Sequence, residues 1–345
     1  MTRAEAAKTF LAAHGFAAAE GQTLPQDASR RGYTRLSGGP APALLMDAPP
    51  PEDIRPFVAV DRHLLGLGLS APRILAEDEA GFLLIEDFGD ATHAALLDAG
   101  AAAAPLYAHA AEALAALHAA PPPPGLPAWD AQAMTVATAA TFCDWWWPAT
   151  FGALPSAAVR QGLAAALGAM LAPFAAQGFV HRDYFPANLM DLPGRSGPAR
   201  TGIIDFQDAA LGHPAYDLVS LVEDARRDVA PDVRAATVAR YLALRPDLDA
   251  ADFRAAMAVH AAQRHLRVAA LWVRLARRDQ KPGYLIHGPR CWALLAAALA
   301  HPATAPLAAF LDDAVPAALR RNPVALAPGM DALDPGPLTR TGSNP

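Results

Sequence analysis

The residues best suited to chemistry in this sequence are three polar side chains near its middle. Asp183 follows an apolar segment, Asn188 begins a short apolar run five residues later, and Asp205 ends the next such run. A loop carboxylate can accept a hydroxyl proton, and amide and carboxylate oxygens suit Mg²⁺ bound to phosphate. Phosphoryl transfer needs a positioned base and charge neutralisation more than covalent help from the protein. The pattern predicts such a site if two adjacent strands bring Asn188 and Asp205 together.

The sequence around these residues resembles a known fold family. His-Arg-Asp-x-x-x-x-Asn at 181–188, followed by Asp-Phe at 205–206, is similar to the catalytic and metal-binding loops of the protein-kinase-like fold. Gly-His-Pro-Ala-Tyr-Asp-Leu at 212–218 resembles the aminoglycoside phosphotransferase branch of that fold. The resemblance implies an ATP-dependent phosphotransferase that uses Mg²⁺.

Further segments resemble one subfamily, the bacterial anomeric kinases of N-acetylmuramic acid and N-acetylglucosamine. These segments are 27–33, 45–49, 83–87, 205–209 and 221–228. Together the similarities span most of residues 20–230. They imply transfer of the γ-phosphoryl group of ATP to the anomeric hydroxyl of one or both sugars, in peptidoglycan recycling.

The resemblance assigns roles position by position. Asp183 matches the catalytic base, and Asn188 and Asp205 match the metal ligands. The segment of Glu86, Asp87 and Phe88 matches the interlobe hinge, whose backbone would hydrogen-bond adenine. Asp217 matches a buried acid that braces the catalytic loop, and His181 is expected to be structural as well.

The phosphate-binding region departs from the protein-kinase pattern. The sequence has no Gly-x-Gly-x-x-Gly loop, and Met46 stands where kinases usually carry a lysine that holds the α- and β-phosphates. Only two lysines are present, Lys8 and Lys281, and neither is placed to substitute. The resemblance puts the phosphate-covering loop at 27–32, so the expected ATP contacts include Ser29, Arg30 and Arg31, with Arg35 as a further cation. Arginine binds phosphate well, although a solvated turn is an equal interpretation of Arg30 and Arg31.

Two other segments are candidates for binding the acceptor. Asp144 precedes three consecutive tryptophans, and a ring such as Trp146 could stack on a sugar or simply pack in a core. Glu223, Arg226 and Arg227 belong to a dense run of charges, which we expect on a helix following Asp217. Such a run is usually a solvent-facing surface with local ion pairs, but its proximity to the catalytic loop allows a substrate contact.

The elements that must position these residues indicate a small β-rich lobe followed by a larger helical lobe, and the resemblance implies an α+β, two-lobed protein-kinase-like fold. A small β-rich N-terminal lobe is expected over 1–88, a larger helical lobe over 89–320 and a flexible tail over 321–345. The predicted helices are 2–14, a segment ending near 67, 103–119, 131–147, 156–177 and further helices from 215 onward. The predicted strands are 43–46, 73–76, 82–86, 188–191 and 202–206.

Composition excludes several classes of protein. The chain has 345 residues, 53% of them hydrophobic, which is enough for a large core and argues against disorder. A net charge of −6 argues against a nucleic-acid binder. Two cysteines, the absence of a long strongly apolar run and a charged N-terminus predict a cytoplasmic protein without a membrane span. The expected partner is a small-molecule amino sugar, with no obligate protein partner.

Two alternatives to the amino-sugar kinase stay open. An aminoglycoside or other small-molecule phosphotransferase would use the same machinery, although a polycationic drug favours an acidic pocket and here arginines mix with the acids. A pseudokinase that binds ATP without catalysis would fit the missing lysine. The presence of Asp183, Asn188 and Asp205 argues against it.

Overall fold

The structure is a computed structural model that describes residues 2–25 and 30–323. The α-helices are α1 Arg3–Ala13, α2 Arg55–Gly66, α3 His93–Asp98, α4 Ala103–Ala119, α5 Ala131–Thr141, α6 Trp147–Phe151, α7 Ala157–Leu171, α8 Ala215–Val222, α9 Pro231–Leu244, α10 Ala250–Arg278, α11 Gly288–Leu299 and α12 Ala305–Ala314. The strands are β1 Glu20–Thr23, β2 Gly32–Ser37, β3 Ala43–Asp47, β4 Ile74–Asp78, β5 Phe82–Glu86, β6 Gly178–Val180, β7 Leu189–Asp191, β8 Thr201–Ile203 and β9 Ala210–Gly212.

These elements form two compact units. Unit 1 contains the described residues of Met1–Pro123 together with Pro186–Ala209. Unit 2 contains Pro124–Phe185 and the described residues from Ala210 onward. The lobe boundaries after residues 88 and 320 stay predictions, and most of the predicted tail lies outside the described residues.

Unit 1 is organised by a five-stranded antiparallel sheet in the order β1-β2-β3-β5-β4. β3 and β5 lie side by side inside the sheet, and their apolar runs are buried because neighbouring elements cover them. The sheet packs on α1, whose N-terminus is capped by the reciprocal hydrogen bonds of Thr2 and Glu5. This sheet confirms the predicted β-rich N-terminal region.

The short hairpin β7–β8 also belongs to unit 1, and it carries two of the predicted site residues at its ends. The backbone N–H of Ile203 donates to the Ser70 carbonyl at 2.7 Å, and the Ser70 hydroxyl donates to the Ala199 carbonyl at 2.6 Å. A Cβ at Gly202 would lie 2.9 Å from the Phe88 ring, so only glycine permits this close approach. The hairpin is therefore hydrogen-bonded to Ser70, which precedes β4, and packed against Phe88, which follows β5.

Unit 2 is mainly helical, and its longest element is α10, with 29 residues. Asp249 caps its N-terminus by accepting the N–H groups of Ala251 and Asp252. α10 contacts α5, α8 and α11, so much of its circumference is buried. The small pair β6–β9 lies beside the loop that contains Asp183.

The structure corrects two predicted helices. The helix expected over 131–147 ends at Thr141 and continues as a π-helical turn over Phe142–Trp146, where the rings of Phe142 and Trp146 stack at 4.7 Å. The helix expected over 156–177 ends at Leu171, because Pro173 leads into a 3₁₀ turn.

The charge run beyond Asp217 is a third correction, since it is not helical. α8 ends at Val222, and residues 223–227 form a turn and bends. A carboxylate oxygen of Asp224 accepts the backbone N–H of Arg226 at 2.8 Å, two residues on. This local hydrogen bond competes with helix continuation, which explains why charges at helical spacing do not extend α8.

One helical stretch in the described residues, Ala157–Phe174, has the length and apolar character of a membrane span. A strongly bent pair, Pro282–Leu299 and Pro302–Ala314, meets the same criteria only when taken together. Such a small number is weak support for membrane insertion, because core helices of soluble proteins meet the same criteria. The predicted absence of a membrane span stays a prediction.

Candidate active site

Asp217 of α8 supports the loop that carries Asp183 by hydrogen bonds to the loop backbone. The carboxylate of Asp217 accepts the backbone N–H groups of His181 and Arg182, at 2.6 and 2.9 Å. The Ser220 hydroxyl, also on α8, donates to the Arg182 carbonyl at 3.4 Å. Arg182 has a φ of 75°, a conformation that costs energy in a non-glycine residue. The buried acid thus holds the backbone in the shape that presents the next residue, Asp183.

Asp183 itself is half-buried and lies in a positively charged neighbourhood. Its backbone N–H donates to Nδ1 of His181 at 3.3 Å, which gives that buried ring a structural role. Burial lowers the pKa of the Arg267 guanidinium on α10. Tyr216 and the carboxylate of Asp183 raise that pKa by more, so it is raised overall. A carboxylate on a loop with a fixed backbone is suited to accept a hydroxyl proton.

Asn188 and Asp205 lie together in unit 1, as the sequence predicts. Nδ2 of Asn188 donates to one carboxylate oxygen of Asp205 at 3.2 Å, and Nε2 of Gln207 donates to the other at 2.8 Å. Asn188 ends a 3₁₀ turn before β7, whereas Asp205 lies two residues beyond β8 at a φ of 62°. Backbone strain at a polar residue of this kind is typical of functional sites.

The donor atoms of this pair fit a magnesium ion. An amide and a carboxylate provide hard oxygen atoms, and Mg²⁺ commonly takes one or two protein ligands and completes its shell with water and phosphate oxygens. The described residues contain no cluster of three or more histidine, cysteine, aspartate or glutamate side chains that could hold a metal. The pair therefore suits an ion that arrives with a nucleotide better than a permanently bound one.

Arg31 is the cation of the predicted phosphate loop that the structure brings near Asp205. Nε of Arg31 lies 3.3 Å from the Glu52 carboxylate. Burial of the Tyr33 hydroxyl raises its pKa to about 12, and the charges acting on it include Arg31, Asp205 and Glu52. Arg30 is exposed, and Ser29 lies outside the described residues.

The predicted hinge is fixed by ion pairs within unit 1. Asp87 and Asp90 both bind Arg35 of β2, with contacts of 2.6 Å and 2.8 Å. Glu86 binds Arg195 at 2.7 Å, and the Arg195 guanidinium lies 5.1 Å from the centre of the Phe88 ring. The side chains of this segment are thus occupied by structural contacts, and the hydrogen bonds of its backbone to adenine stay a prediction.

The missing lysine has a structural counterpart in the sheet. Met46, which stands where kinases usually carry the lysine, is uncharged and fully buried in β3. Lys8 lies in α1. Neither residue supplies a cation for phosphate. The Arg35 guanidinium is bound by two aspartates. Of the candidate cations considered from the sequence, Arg31 is the one whose charge acts, together with that of Asp205, on Tyr33.

Asp144 and Trp146 belong to a different neighbourhood, in the packing of α5, α6, α7 and α11. Asp144 binds Arg160 of α7 at 2.7 Å. Trp146 is 0% exposed, lies 5.2 Å from the Trp292 ring and donates through Nε1 to the Arg321 carbonyl. The rings of Phe142, Phe151 and Trp292 surround the Trp146 ring and leave no face for a sugar, so the prediction of a sugar contact there is corrected to a core position.

Glu223 is a buried carboxylate bound by two partners. His265 of α10 lies 2.7 Å from one oxygen, and Arg234 of α9 binds the other. Burial alone would raise the pKa of Glu223, but the hydrogen bond from His265 and the arginine charges lower it. Burial lowers the pKa of His265, so the neutral ring donates its Nε2–H to the ionised carboxylate. Glu223 therefore connects three elements and is a structural acid.

Arg226 and Arg227 follow on the loop after α8. Arg226 is exposed, and its guanidinium lies 4.6 Å from the centre of the Phe185 ring and 5.3 Å from that of Trp272. Arg227 is half-buried. Because Phe185 comes two residues after Asp183, the structure brings Arg226 near the catalytic loop, as the sequence-based interpretation expects.

Several residues that surround the site were not predicted. Arg195 lies in an irregular loop, and only the fold shows that it reaches Glu86. Arg264 and Arg267 lie inside α10, where charged residues are normally taken as exposed. The one usable signal was their spacing, because they share a helix face with apolar residues.

Comparison with known proteins finds similarities over most of the chain. Residues 20–254 match the model of the phosphotransferase enzyme family. The chain is 39% identical to an N-acetylmuramate/N-acetylglucosamine kinase of Caulobacter vibrioides, over 92% of this chain and 98% of the relative. It is 38% identical to a protein of the same name from Pseudomonas aeruginosa, over 79% of this chain and 82% of the relative.

Solved structures share the fold at low sequence identity. A choline/ethanolamine kinase family protein from Mesorhizobium loti has a TM-score of 0.61 at 15% identity, covering 90% of this chain and 99% of that one. The GDP complex of aminoglycoside 2'-phosphotransferase-IIIa has a TM-score of 0.55 at 16% identity, covering 87% and 99%. These similarities establish the kinase-like α+β fold.

Proposed function

This chain belongs to the phosphotransferase enzyme family, and we propose that it transfers the γ-phosphoryl group of ATP to the anomeric hydroxyl of N-acetylmuramate or N-acetylglucosamine. The observation that carries the proposal is the similarity to kinases named for both sugars, which extends over 92% of the chain. The braced Asp183 loop and the Asn188–Asp205 pair support the reaction class.

The chain's own residues divide the work of the reaction. The anomeric hydroxyl gives its proton to the carboxylate of Asp183 as its oxygen bonds to the γ-phosphorus. The bond from that phosphorus to the β-phosphate oxygen breaks, which releases ADP. An anomeric hydroxyl is more acidic than an ordinary alcohol, so Asp183 mainly orients it and takes the proton late. Arg31 adds positive charge on the nucleotide side.

Asn188 and Asp205 are the proposed ligands of Mg²⁺. The ion, when bound, would compensate the charge of the phosphate oxygens. The Asn188 side chain would turn its carbonyl oxygen toward the ion. Asp205 would then lose one of the two amide hydrogen bonds that it accepts. Backbone groups of Glu86, Asp87 and Phe88 are the proposed contacts of adenine.

The biological setting that we propose is the recycling of peptidoglycan sugars in the cytoplasm, without an obligate protein partner. Both sugars are components of peptidoglycan, and a sugar 1-phosphate is the form that a nucleotidyltransferase uses. The names of the relatives support this setting through their substrates.

A screen of acceptors tests the proposal directly. The purified protein is incubated with ATP and Mg²⁺ and with N-acetylmuramate, N-acetylglucosamine, kanamycin or choline, and the product is analysed by phosphorus NMR. The expected product is a sugar phosphorylated at the anomeric carbon, and the Asp183→Asn variant serves as the control. Phosphorylation of the drug or of choline alone would replace the proposed acceptor. The absence of turnover with every acceptor would favour an ATP-binding module without catalysis.

A further inference from the structure

Two buried arginines on α10 are the starting point. Arg264 and Arg267 are three residues apart and therefore share one side of the helix. They are only 2% and 7% exposed. Arginine is seldom buried to this degree unless it is paired with an acid.

Their hydrogen-bond donors are incompletely used within the described residues. Nε and Nη1 of Arg264, Nε of Arg267 and Nε1 of the nearby Trp129 are buried and have no acceptor there. A buried donor without an acceptor costs about 1–3 kcal/mol, and more when it carries charge. All four atoms are donors, so the group lacks an acceptor-rich partner.

Tyr216 of α8 connects this group. Its hydroxyl accepts from Nη2 of Arg267 at 3.2 Å, and the Arg264 guanidinium lies 6.0 Å from the centre of its ring. Trp129 packs edge-on against the Tyr216 ring at 5.9 Å and lies 5.6 Å from the Arg267 guanidinium. The donors therefore surround one aromatic residue rather than scatter along the helix.

The acids of the neighbourhood do not balance these charges. Glu223 feels the charge of Arg264, but both of its oxygens are already bound by His265 and Arg234. Asp224 accepts the backbone N–H of Arg226. Asp183 is the remaining acid whose charge acts on Arg267. Further along α10, burial and the like charges of Arg278 and Arg267 lower the pKa of Arg274 to about 10. This side of α10 therefore carries an excess of buried positive charge.

We propose that Arg264 and Arg267 form an anion site that binds the carboxylate of the acceptor sugar. N-acetylmuramate differs from N-acetylglucosamine by a lactyl ether that ends in a carboxylate. Planar guanidinium groups match the two oxygens of such a group. The Trp129 ring, 5.6 Å from the Arg267 guanidinium, also lies 4.1 Å from the guanidinium of Arg182, the residue before the proposed base Asp183.

The proposal rests on the proposed function, because it assumes an amino sugar as the acceptor. A second source of the same chemistry is the transferred phosphoryl group of ATP. The two sources are separable, because a phosphate contact changes the KM for ATP whichever sugar is used. A carboxylate contact changes only the KM for N-acetylmuramate.

Steady-state kinetics of the full chain test the site. The acceptors are N-acetylmuramate, its methyl ester and N-acetylglucosamine, each with the wild type and with Arg264→Met. The expected result is a KM for N-acetylmuramate raised roughly 10–100-fold, the loss of one charge-assisted hydrogen bond. The KM values for ATP and N-acetylglucosamine should not change. Arg254→Met, an exposed position on the same helix, is the matched control and should behave as wild type.

Two further measurements keep the test independent of folding. The wild type should prefer N-acetylmuramate over its uncharged methyl ester, and Arg267→Lys, which keeps the charge but loses the planar fork, should reduce that preference. Equal KM values for acid and ester in the wild type, equal losses for both sugars, or a raised KM for ATP would each overturn the anion site. A wild type that phosphorylates N-acetylglucosamine but shows no carboxylate preference leaves the proposed function intact. A wild type that phosphorylates no sugar contradicts the function itself.

Discussion

Asp183 and Asp205, the two aspartates of the candidate site, are held in different ways and have different tasks. Asp183 lies on a loop whose preceding residues are fixed by Asp217. Asp205 is fixed by its left-handed backbone and by the amide groups of Asn188 and Gln207. Because one belongs to unit 2 and the other to unit 1, their replacement should separate acceptor chemistry from nucleotide binding.

Asp183→Asn should nearly abolish sugar phosphorylation and leave ATP binding unchanged. The amide keeps the size of the side chain but cannot accept the hydroxyl proton, and general-base contributions are about 10²–10⁴-fold. Single-turnover kinetics measure the loss, and calorimetry with Mg-ATP provides the control. Turnover near that of the wild type would exclude Asp183 as the base.

Asp205→Ala should remove the Mg²⁺-dependent part of nucleotide affinity. Without the carboxylate, the charge of the triphosphate and its metal ion is poorly compensated. Titration calorimetry with ATP, in the presence and absence of Mg²⁺, measures the effect. Asp208→Ala, three residues away, is a comparison within the same loop. An unchanged affinity for Mg-ATP in Asp205→Ala would contradict the proposed metal pair.

At the scale of elements, α2 contains an acid that its own helix does not explain. Asp61 is 1% exposed, and neither of its carboxylate oxygens has a hydrogen-bond partner in the described residues. Burial raises the pKa of Asp61 to about 7. Arg62 lowers this pKa and Glu86 raises it, both by smaller amounts. A carboxyl group in such surroundings is neutral at acidic pH, and its ionisation destabilises the folded state.

Asp61 should make the free energy of unfolding fall as the pH rises. The unfolded group titrates near 3.8 and the folded one near 7, so the folded chain holds the extra proton between these values. Stability from this group is complete below the unfolded pKa and is lost as the pH rises through the folded one. Relative to wild type, Asp61→Asn should therefore gain about 2–4 kcal/mol between pH 4 and pH 8.

Urea unfolding of wild type and Asp61→Asn at several pH values measures this gain. Glu79→Gln, an exposed acid near the end of β4, is the control and should show no comparable pH dependence. A difference between wild type and Asp61→Asn that does not change with pH would mean that the ionisation of Asp61 does not affect folding.

At the scale of the whole molecule, the nucleotide and acceptor residues divide between the two units. Asn188, Asp205, Arg31 and the hinge belong to unit 1, whereas Asp183 and the α10 arginines belong to unit 2. Each ligand should therefore bind when the other site is damaged. The affinity for the nucleotide should therefore change independently of the affinity for the acceptor.

Thermal unfolding with single ligands tests this division. N-acetylmuramate should stabilise Asp205→Ala as much as it stabilises the wild type, while Mg-ATP should stabilise only the wild type. A ligand at one hundred times its Kd adds about 2.7 kcal/mol. Arg264→Met should show the reverse pattern. Loss of both stabilisations in both variants would indicate that one disrupted structure, rather than two sites, explains the results.

The sequence alone was sufficient for the fold class and for the pairing of Asn188 with Asp205. The strand Phe82–Glu86 and the helix Ala103–Ala119 have the predicted bounds, since apolar or periodic runs determine their own secondary structure. Asn188 and Asp205 lie at the two ends of one short hairpin, so their order along the chain carries the information. The catalytic role of Asp183 stays a prediction.

Tertiary structure decided the features that depend on distant neighbours. Trp146 is a core residue because Trp292 and Arg321 meet it from far along the chain. The charge run leaves the helix at Glu223, because His265 and Arg234 bind this carboxylate and Asp224 closes a local turn. The neighbours of Arg264 and Arg267, among them Tyr216 and Trp129, come from distant parts of the chain and cannot be identified from α10 alone. Burial and the pairing of charges are properties of the surroundings, and those surroundings exist only after the chain has folded.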